Sequence, residues 1–316
     1  MRAMNKLFVF PGYGSQLVGM FDALPHDVSI VRLTDAAEAH SGLEITKIVN
    51  NGPESALSDI RVAYPAIVIN DAAWGKYISV SGIEPAAVCG YGVGDVAALA
   101  AAGVITMGAA VTLADFLAKT YVHATADSDG VMKTIVGLDE QAVSEVIAES
   151  SHVWISAVNS PRQVVVSGVE SAVLALEPAF ESAGARRVMK INVPGALYSP
   201  LMAQAQEQLA AYLDKADFRD AEVDYISCVD GRVYRDGLEI KKKFIESITS
   251  PIQFQQAVAT AIDDLSVKIA LECGAGSLLC GHLAHTDISA IPVTQYSDEA
   301  GVELLKNRIE SIEARV

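Results

Sequence analysis

Short apolar runs alternate with longer helical patterns along the chain, and glycine-rich turns separate them. Residues 7–10, 86–89 and 267–271 are predominantly apolar over a length typical of strands that are buried on both faces. The run at 86–89 is followed by three glycines within residues 90–94 and then by a helical pattern over 95–102. Further core elements are predicted as helices over 65–74, 202–212 and 251–262 and as a strand over 224–228. This alternation predicts an α/β core built on a parallel sheet.

The pattern changes between residues 129 and 194. Strands are predicted here over 132–136, 153–158, 164–167 and 187–191, and helices over 140–149 and 172–183. The order βαββαβ is that of a ferredoxin-like unit. We therefore predict two interleaved domains, a large α/β core formed by residues 1–128 and 195–316 and a small inserted subdomain over 129–194.

The composition excludes several classes of protein. Hydrophobic residues make up 51% of the 316 residues and charged residues 20%, which is too apolar for a disordered chain. The 23 Lys and Arg residues against 39 Asp and Glu residues give a formal charge of −16, so the phosphate backbone of a nucleic acid would be repelled. We therefore expect a folded protein that does not bind nucleic acid.

No segment is typical of export or of a membrane span. The apolar run at 7–10 is too short for the core of a signal peptide, and the apolar region 86–105 is interrupted by Asp95 and by glycines. The four cysteines show no CxxC spacing, which favours reduced thiols over disulfides or a zinc site. These features predict a cytoplasmic protein without a membrane partner.

Five segments with motif-like glycine, proline and serine spacing occur along the chain. They are residues 10–16 (FPGYGSQ), 90–95 (GYGVGD), 159–168 (NSPRQVVVSG), 195–202 (GALYSPLM) and 272–276 (ECGAG). In this order they resemble the motifs of the malonyl-CoA:acyl carrier protein acyltransferases of fatty-acid and polyketide synthesis. The resemblance spans almost the whole chain. It implies an α/β-hydrolase-like core with an inserted ferredoxin-like subdomain, an acyl carrier protein or acyl-CoA as partner, and no cofactor.

The chain departs from this family at the catalytic positions. The family's serine nucleophile lies on a strained strand-to-helix turn, and the matching residue is Gly92, which has no side chain to acylate. The family's general base is a histidine, and Tyr198 takes its place; a phenol with a reference pKa of about 10 is a poor base at neutral pH. Tyr91 replaces the histidine that precedes the nucleophile. We therefore predict that the chain is inactive as a Ser–His malonyl transferase.

Other replacements surround the same pocket. The resemblance assigns Tyr13 to the glutamine of the N-terminal glycine loop, whose backbone helps to form the oxyanion hole together with the amide of Val93. It places Leu117 where the family has an arginine that binds the malonyl carboxylate, and Ser247 where the family often has a glutamine. A carboxylate facing leucine would lose a charge-assisted bond worth roughly 1.5–3 kcal/mol.

Three interpretations follow from these replacements. In the first, the tyrosines fill the old pocket, glycine at position 92 relieves a strained backbone, and the protein binds a carrier protein or acyl thioester without forming an acyl-enzyme. In the second, a phenol serves non-covalent chemistry on a carrier-bound acyl chain. In the third, a displaced nucleophile such as Cys89 or Ser15 supports conventional acyl transfer.

Cations that could bind an acidic carrier protein occur near the small subdomain. They are Arg162, Arg186, Arg187 and Lys190, and the alternative for each is an ordinary solvated position. His282 and His285 are three residues apart but lack a nearby pair of carboxylates, so we expect both at the surface and no bound metal.

Overall fold

The computed structural model describes residues 4–25 and 28–314 and contains two β-sheets. The strands are β1 (Asn5–Phe10), β2 (Ala87–Gly90), β3 (Gly130–Val136), β4 (Val153–Ser160), β5 (Gln163–Val169), β6 (Arg187–Ile191), β7 (Asp224–Ile226), β8 (Val233–Tyr234), β9 (Val267–Glu272) and β10 (Ser289–Pro292). The α-helices are α1 (Val28–Ser41), α2 (Ile45–Asn51), α3 (Glu54–Leu57), α4 (Ile60–Val80), α5 (Gly94–Ala101), α6 (Met107–Ala124), α7 (Glu140–Ile147), α8 (Glu170–Ser182), α9 (Ala203–Leu213), α10 (Gly237–Glu246), α11 (Phe254–Asp263), α12 (Leu278–Leu283) and α13 (Glu299–Glu313).

The large sheet has six strands in the order β10-β9-β1-β2-β7-β8. The first five are parallel, and β1 lies at the centre, where Leu7 is paired with Ala87 on one side and Ala270 on the other. Strands β1, β2 and β9 are almost fully buried, as the apolar runs predict for a parallel sheet covered on both faces. The predicted α/β fold with a parallel sheet is confirmed.

The small sheet is antiparallel, with strand order β4-β5-β3-β6. Helices α7 and α8 cover one face, where Ile135, Val164 and Phe180 form a separate core. On the opposite face Met132 and Val165 pack into the main core of the large unit. The ferredoxin-like order of elements therefore presents one face of the small sheet to the large unit.

Two segments differ from the sequence prediction in ways that affect the cleft between the units. Helix α4 begins at Ile60, because the Asp59 side chain accepts a hydrogen bond from the Arg61 amide, so Pro65 lies inside the helix instead of in its first turn. The helix predicted from residue 251 begins only at Phe254. Ile252 instead forms a parallel bridge with Ala157 of β4, which links the two units.

Several elements of the large unit were not predicted from the sequence. Strand β8 forms a short antiparallel pair with β7, and β10 adds a parallel strand at the opposite edge of the sheet. Helices α1, α2, α3, α6, α10, α12 and α13 were also not predicted. Within the described ranges, no helix combines the length and the apolar character needed to cross a membrane.

Candidate functional site

A sharp strand–turn–helix joins β2 to α5 at residues 90–94. The Gly94 amide donates to the Tyr91 carbonyl at 3.0 Å, and the Asp95 amide donates to the Gly92 carbonyl at 3.1 Å. Gly92 has a φ of +58°, a conformation that L side chains rarely adopt. The turn that the sequence pattern predicts as an elbow is therefore present, with glycine at its strained position.

Two other glycines of the elbow are required by close contacts between main-chain atoms. A Cβ on Gly90 would lie 2.1 Å from the Asp95 Cα, and a Cβ on Gly94 would lie 2.3 Å from the Phe10 carbonyl oxygen. To make room for either Cβ, the main chain of α5 would have to move away from the large sheet. The geometry of the elbow is thus fixed by its packing on β1 and does not depend on a side chain at position 92.

The hydroxyl of Tyr198 occupies the space in front of Gly92. A Cβ built on Gly92 would lie 2.7 Å from the Tyr198 Oη, which is the nearest atom. Tyr198 itself has a φ of +57°, in the left-handed region that costs a non-glycine residue about 1–2 kcal/mol. Such strain is concentrated at functional sites. Among the described residues, nothing forms a hydrogen bond with the Tyr198 hydroxyl.

A cavity of about 70 Å³ lies between the elbow and the small sheet. Its polar lining consists of Tyr13, Tyr64, Tyr91 and Tyr198 beside Gly92. Its apolar lining consists of Met132, Ala157, Val165, Ile191, Val193, Leu197 and Ile252. The structure thus places the predicted residues Tyr13, Tyr91, Gly92 and Tyr198 together. It adds Tyr64, which the sequence analysis missed because this residue lies in an apolar stretch of α4 without any motif.

The four tyrosines of the cavity differ in their hydrogen bonding. The Tyr13 Oη lies 2.8 Å from the Ser58 carbonyl oxygen, and the Tyr91 hydroxyl donates to the Asn159 Oδ1 at 2.7 Å. The hydroxyls of Tyr64 and Tyr198 have no partner in the described part of the chain. Two phenols are therefore held in place by the protein, and two remain available as donors.

Burial keeps the two available phenols neutral. Burial raises the pKa of Tyr64 well above its usual value, and the nearby phenol of Tyr198 raises this pKa further. Burial and the Asp95 carboxyl raise the pKa of Tyr198. At physiological pH both groups therefore carry their protons, so they can donate hydrogen bonds but cannot serve as the general base of the family's mechanism.

A buried carboxyl lies behind the elbow. The Tyr225 hydroxyl is 2.8 and 2.7 Å from the two oxygens of Asp95. Burial raises the pKa of Asp95 to about 7, and the hydrogen bond from Tyr225 opposes this shift. Asp95, Tyr198 and Ser247 border a second cavity of only about 20 Å³ on this side of Gly92. The elbow therefore has a titratable group on its inner side.

Three predicted pocket residues, Val93, Leu117 and Ser247, do not line the main cavity. Leu117, on α6, is only 4% exposed and packs into the core of the large unit, so the expectation that it faces the pocket is wrong. The cavity is nevertheless without a charged lining residue. Ser247 borders only the small cavity behind the elbow, and its hydroxyl donates to the Phe244 carbonyl at 2.7 Å.

The backbone amides predicted for the oxyanion hole are free. Neither the Val93 nor the Tyr13 amide donates to another group of the described residues. Val93 directly precedes α5, so its amide lies at the positive end of the helix dipole. These two amides remain candidates for binding a carbonyl oxygen.

Neither of the alternative nucleophiles borders the main cavity. The Cys89 thiol is buried, 3.4 Å from the Cys228 thiol, with no base beside it. The Ser15 hydroxyl is also buried and donates to the Gly12 carbonyl at 2.8 Å. The surroundings of both side chains are therefore those of buried structural residues, and neither is placed to attack a ligand in the cavity.

The three candidate arginines lie at one end of the small sheet. Val136, at the end of β3, is paired with both Gln163 and Arg187, and the Arg186 amide donates to the Val136 carbonyl. Arg162 occupies the β4–β5 turn beside Gln163, and all three arginines are exposed. This end of the sheet thus carries three exposed positive charges.

Lys190 does not belong to this group. It follows Arg187 by three residues on β6, so the two side chains lie on opposite faces of the sheet. Its ammonium group is 3.2 Å from a carboxylate oxygen of Glu170. Proximity along the chain suggests one group of cations, but strand alternation separates Lys190 from the arginines.

The prediction that His282 lies at the surface is wrong. This residue is 9% exposed, and its ring lies 6.1 Å from the Phe254 ring and 6.0 Å from the Tyr91 ring. Burial lowers the pKa of His282 to about 4, so it is neutral. His285 is exposed. The described residues contain no group of three or more side chains suited to hold a metal ion.

Sequence comparison identifies relatives over nearly the whole chain. The acyl transferase domain family matches residues 7–297. The chain is 33% identical over 285 residues to a malonyl CoA-acyl carrier protein transacylase of Bacillus subtilis, covering 88% of this chain and 89% of the relative. It is 31% identical over 279 residues to the corresponding protein of Salmonella typhimurium, covering 87% and 90% of the two chains.

Comparison with solved structures gives the same result. An acyl-carrier-protein S-malonyltransferase from Burkholderia pseudomallei superimposes with a TM-score of 0.88 at 29% identity, covering 96% of this chain and all of the other. A malonyl-transacylase in complex with its type II PKS acyl-carrier protein superimposes with a TM-score of 0.86 at 27% identity, covering 96% and 99%. The chain belongs to the acyl transferase domain family.

Proposed function

We propose that the protein acts in fatty-acid or polyketide biosynthesis by binding an acyl carrier protein or acyl thioester without forming an acyl-enzyme. The observation that carries this proposal is the pairing of Gly92 with Tyr198. The elbow presents no nucleophilic atom, and a phenol that keeps its proton occupies the space where such an atom would project. Loss of the nucleophile removes on the order of a million-fold in rate in a comparable serine enzyme.

The cavity supports binding of a thioester with a neutral acyl group. Its lining is apolar apart from the tyrosines and the turn at Gly92. The free amide of Tyr13, which lies in this lining, and that of Val93, which follows Gly92, are suited to a carbonyl oxygen. A malonyl carboxylate would lose its hydration there without meeting a cation, which disfavours its binding. We infer that the natural acyl group is uncharged.

The arginines of the small sheet support a carrier protein as the partner. Carrier proteins are acidic, and the formal charge of −16 on this chain opposes their approach everywhere except at local groups of cations. Arg162, Arg186 and Arg187 form such a group. One relative was solved in complex with its acyl-carrier protein, which supports the same partner for this chain.

The absence of acyl transfer can be tested with radiolabelled malonyl-CoA and holo-acyl carrier protein. We expect no label on the protein and no transfer to the carrier, whereas the Bacillus subtilis relative should transfer label under the same conditions. Intact-protein mass spectrometry after treatment with acetyl-CoA or malonyl-CoA should show the unmodified mass. A stable acyl adduct on any side chain, or transfer at the rate of the relative, would contradict the proposal.

Binding of the carrier can be tested with a matched pair of charge reversals. Arg187→Glu should weaken binding of the holo-carrier by roughly tenfold at low salt, with a smaller effect at high salt, because exposed charges act mainly through screened attraction. Lys190→Glu, on the opposite face, should change binding by about twofold or less. The measurement is isothermal titration calorimetry at two salt concentrations. Failure of the wild-type protein to bind any holo-carrier would contradict this partner.

A second candidate function is non-covalent catalysis on a neutral carrier-bound acyl chain, such as isomerisation or cyclisation. The strained backbone of Tyr198 favours this candidate, and so does its hydroxyl, which has no partner in the described residues, because a phenol donor at the cavity can stabilise developing negative charge. Tyr198→Phe should then abolish turnover while leaving the melting temperature nearly unchanged. Mass spectrometry of acyl carriers incubated with either form would detect the product, and equal turnover by both forms would exclude a role for the phenol.

A further inference from the structure

The cavity contains two phenol donors that the protein leaves unused. Tyr64 is only 1% exposed and lines the cavity, yet its hydroxyl has no partner among the described residues. The hydroxyl of Tyr198, a partly buried residue, also has no partner there. Neither oxygen belongs to the buried atoms without a partner, so both hydroxyls can be reached from the cavity. A ligand that enters the cavity can therefore accept from both phenols.

Both donors are held by their surroundings. The Tyr64 ring packs edge-on against Tyr121, with centroids 5.9 Å apart, and against Tyr13, with centroids 6.4 Å apart. Tyr198 packs against the main core, with its hydroxyl in front of Gly92. Turning either ring away from the cavity would disrupt this packing. The two donors are preorganised, which favours a ligand that accepts from both.

The size and charge of the cavity restrict the ligand. Its volume of about 70 Å³ is roughly half that of an engineered cavity that accepts benzene, so it can enclose only the end of a short acyl group. No charged residue lines it, so a carboxylate would be desolvated without a counter-ion. The acceptor oxygen must therefore belong to a neutral group.

We propose that Tyr64 and Tyr198 form a two-donor site that selects a short 3-oxoacyl thioester. The thioester carbonyl faces the free amides of Val93 and Tyr13, and the ketone oxygen two atoms further along the acyl chain accepts from the two phenols. A ketone oxygen has two lone pairs and no donor of its own, so it satisfies both phenols at once. This inference rests on the proposed binding of an acyl thioester and adds the class of acyl group.

The experiment compares acetoacetyl-CoA, butyryl-CoA and 3-hydroxybutyryl-CoA by isothermal titration calorimetry with the full chain. Wild-type protein should bind acetoacetyl-CoA about tenfold more tightly than butyryl-CoA, since two hydrogen bonds separate the ligands. Tyr64→Phe and Tyr198→Phe should each lower the affinity for acetoacetyl-CoA by about three- to tenfold. Each should change the affinity for butyryl-CoA by less than about twofold. Tyr212→Phe removes a hydroxyl outside the cavity and should change neither affinity.

Each other outcome has a distinct meaning. Equal affinity for acetoacetyl-CoA and butyryl-CoA, or equal effects of the Phe variants on both, would overturn the two-donor site while leaving thioester binding intact. Tightest binding of 3-hydroxybutyryl-CoA would overturn the 3-oxo assignment. If no CoA thioester bound, this inference would fail, and the proposed function would fail with it only if the holo-carrier did not bind either. Thermal melts of each variant establish that a lost affinity does not reflect unfolding.

Discussion

The glycines of the elbow lie within five residues of one another, yet they meet different parts of the molecule. At Gly90 and Gly94 a Cβ would collide with main-chain atoms at 2.1 and 2.3 Å. At Gly92 the nearest atom, at 2.7 Å, is the hydroxyl at the end of the Tyr198 side chain. Backbone contacts therefore maintain the turn, whereas the position for a nucleophile is bounded by a side chain. The family's scaffold can persist while its chemistry changes.

The largest effect is expected where the backbone contact is closest. Gly90→Ala should cost more than about 3 kcal/mol of unfolding free energy, because the new methyl group would force α5 away from β2. Gly108→Ala, in α6, is a matched control, since a Cβ there meets nothing within 4 Å and alanine favours a helix. Urea unfolding followed by circular dichroism measures both variants. If Gly90→Ala were as stable as wild type, the elbow would be loosely packed.

The path of the main chain could be predicted from the sequence, whereas the positions of side chains around the cavity could not. The strands β1, β2 and β9, the elbow and the ferredoxin-like insert follow from local apolar runs and glycine spacing, which act over a few residues. Tyr64 could not be found in this way, since it reaches the cavity only because α4 packs beside the elbow. Leu117 and His282 were misplaced for the same reason. A motif or spacing does not specify which side of a helix faces the cleft.

Ile252 shows a second limit of sequence analysis. The segment 251–262 has a helical pattern, but the Ile252 amide donates to the Ser156 carbonyl at 2.9 Å. The Ile252 carbonyl accepts from the Val158 amide at 2.8 Å, so this residue pairs with β4 before the helix begins. Tertiary pairing overrides local propensity at this position. As a result, a residue predicted inside a helix lines the cavity instead.

An intermediate effect is expected from Asp95, on the inner side of the elbow. Its pKa in the folded protein is raised to about 7, so the folded state binds a proton that the unfolded carboxyl, with a usual pKa near 3.8, releases. This group therefore stabilises the fold at low pH relative to high pH, and the contribution is lost between about pH 4 and 7. Asp95→Asn stays neutral and can still accept from Tyr225. The unfolding free energy of Asp95→Asn should exceed that of wild type by on the order of 2–4 kcal/mol at pH 8 and by almost nothing at pH 4.

The pH series separates this effect from those of other carboxyls. Urea unfolding of the wild type and Asp95→Asn at each pH gives a difference in which the remaining acidic residues cancel. Asp217→Asn provides a control, since it changes one carboxylate elsewhere in the large unit, beside a groove formed by α6 and α9. The difference in unfolding free energy between wild type and Asp95→Asn should therefore grow from pH 4 to 8. A difference that stayed constant would contradict a raised pKa of Asp95 in the folded protein.

The smallest effect is expected at the position that only a side chain restricts. Gly92→Ser should lower the unfolding free energy by about 1–2 kcal/mol. Serine is disfavoured at φ +58°, and its Cβ displaces the Tyr198 hydroxyl. Removing that hydroxyl in Gly92→Ser/Tyr198→Phe should recover about 0.5–1 kcal/mol of this cost, measured as the coupling energy of a double-mutant cycle. Neither variant should form an acyl-enzyme, because no base replaces the phenol. Full additivity of the two substitutions would show that Tyr198 does not restrict position 92, whereas acylation of the new serine would show that the missing side chain alone prevented transfer.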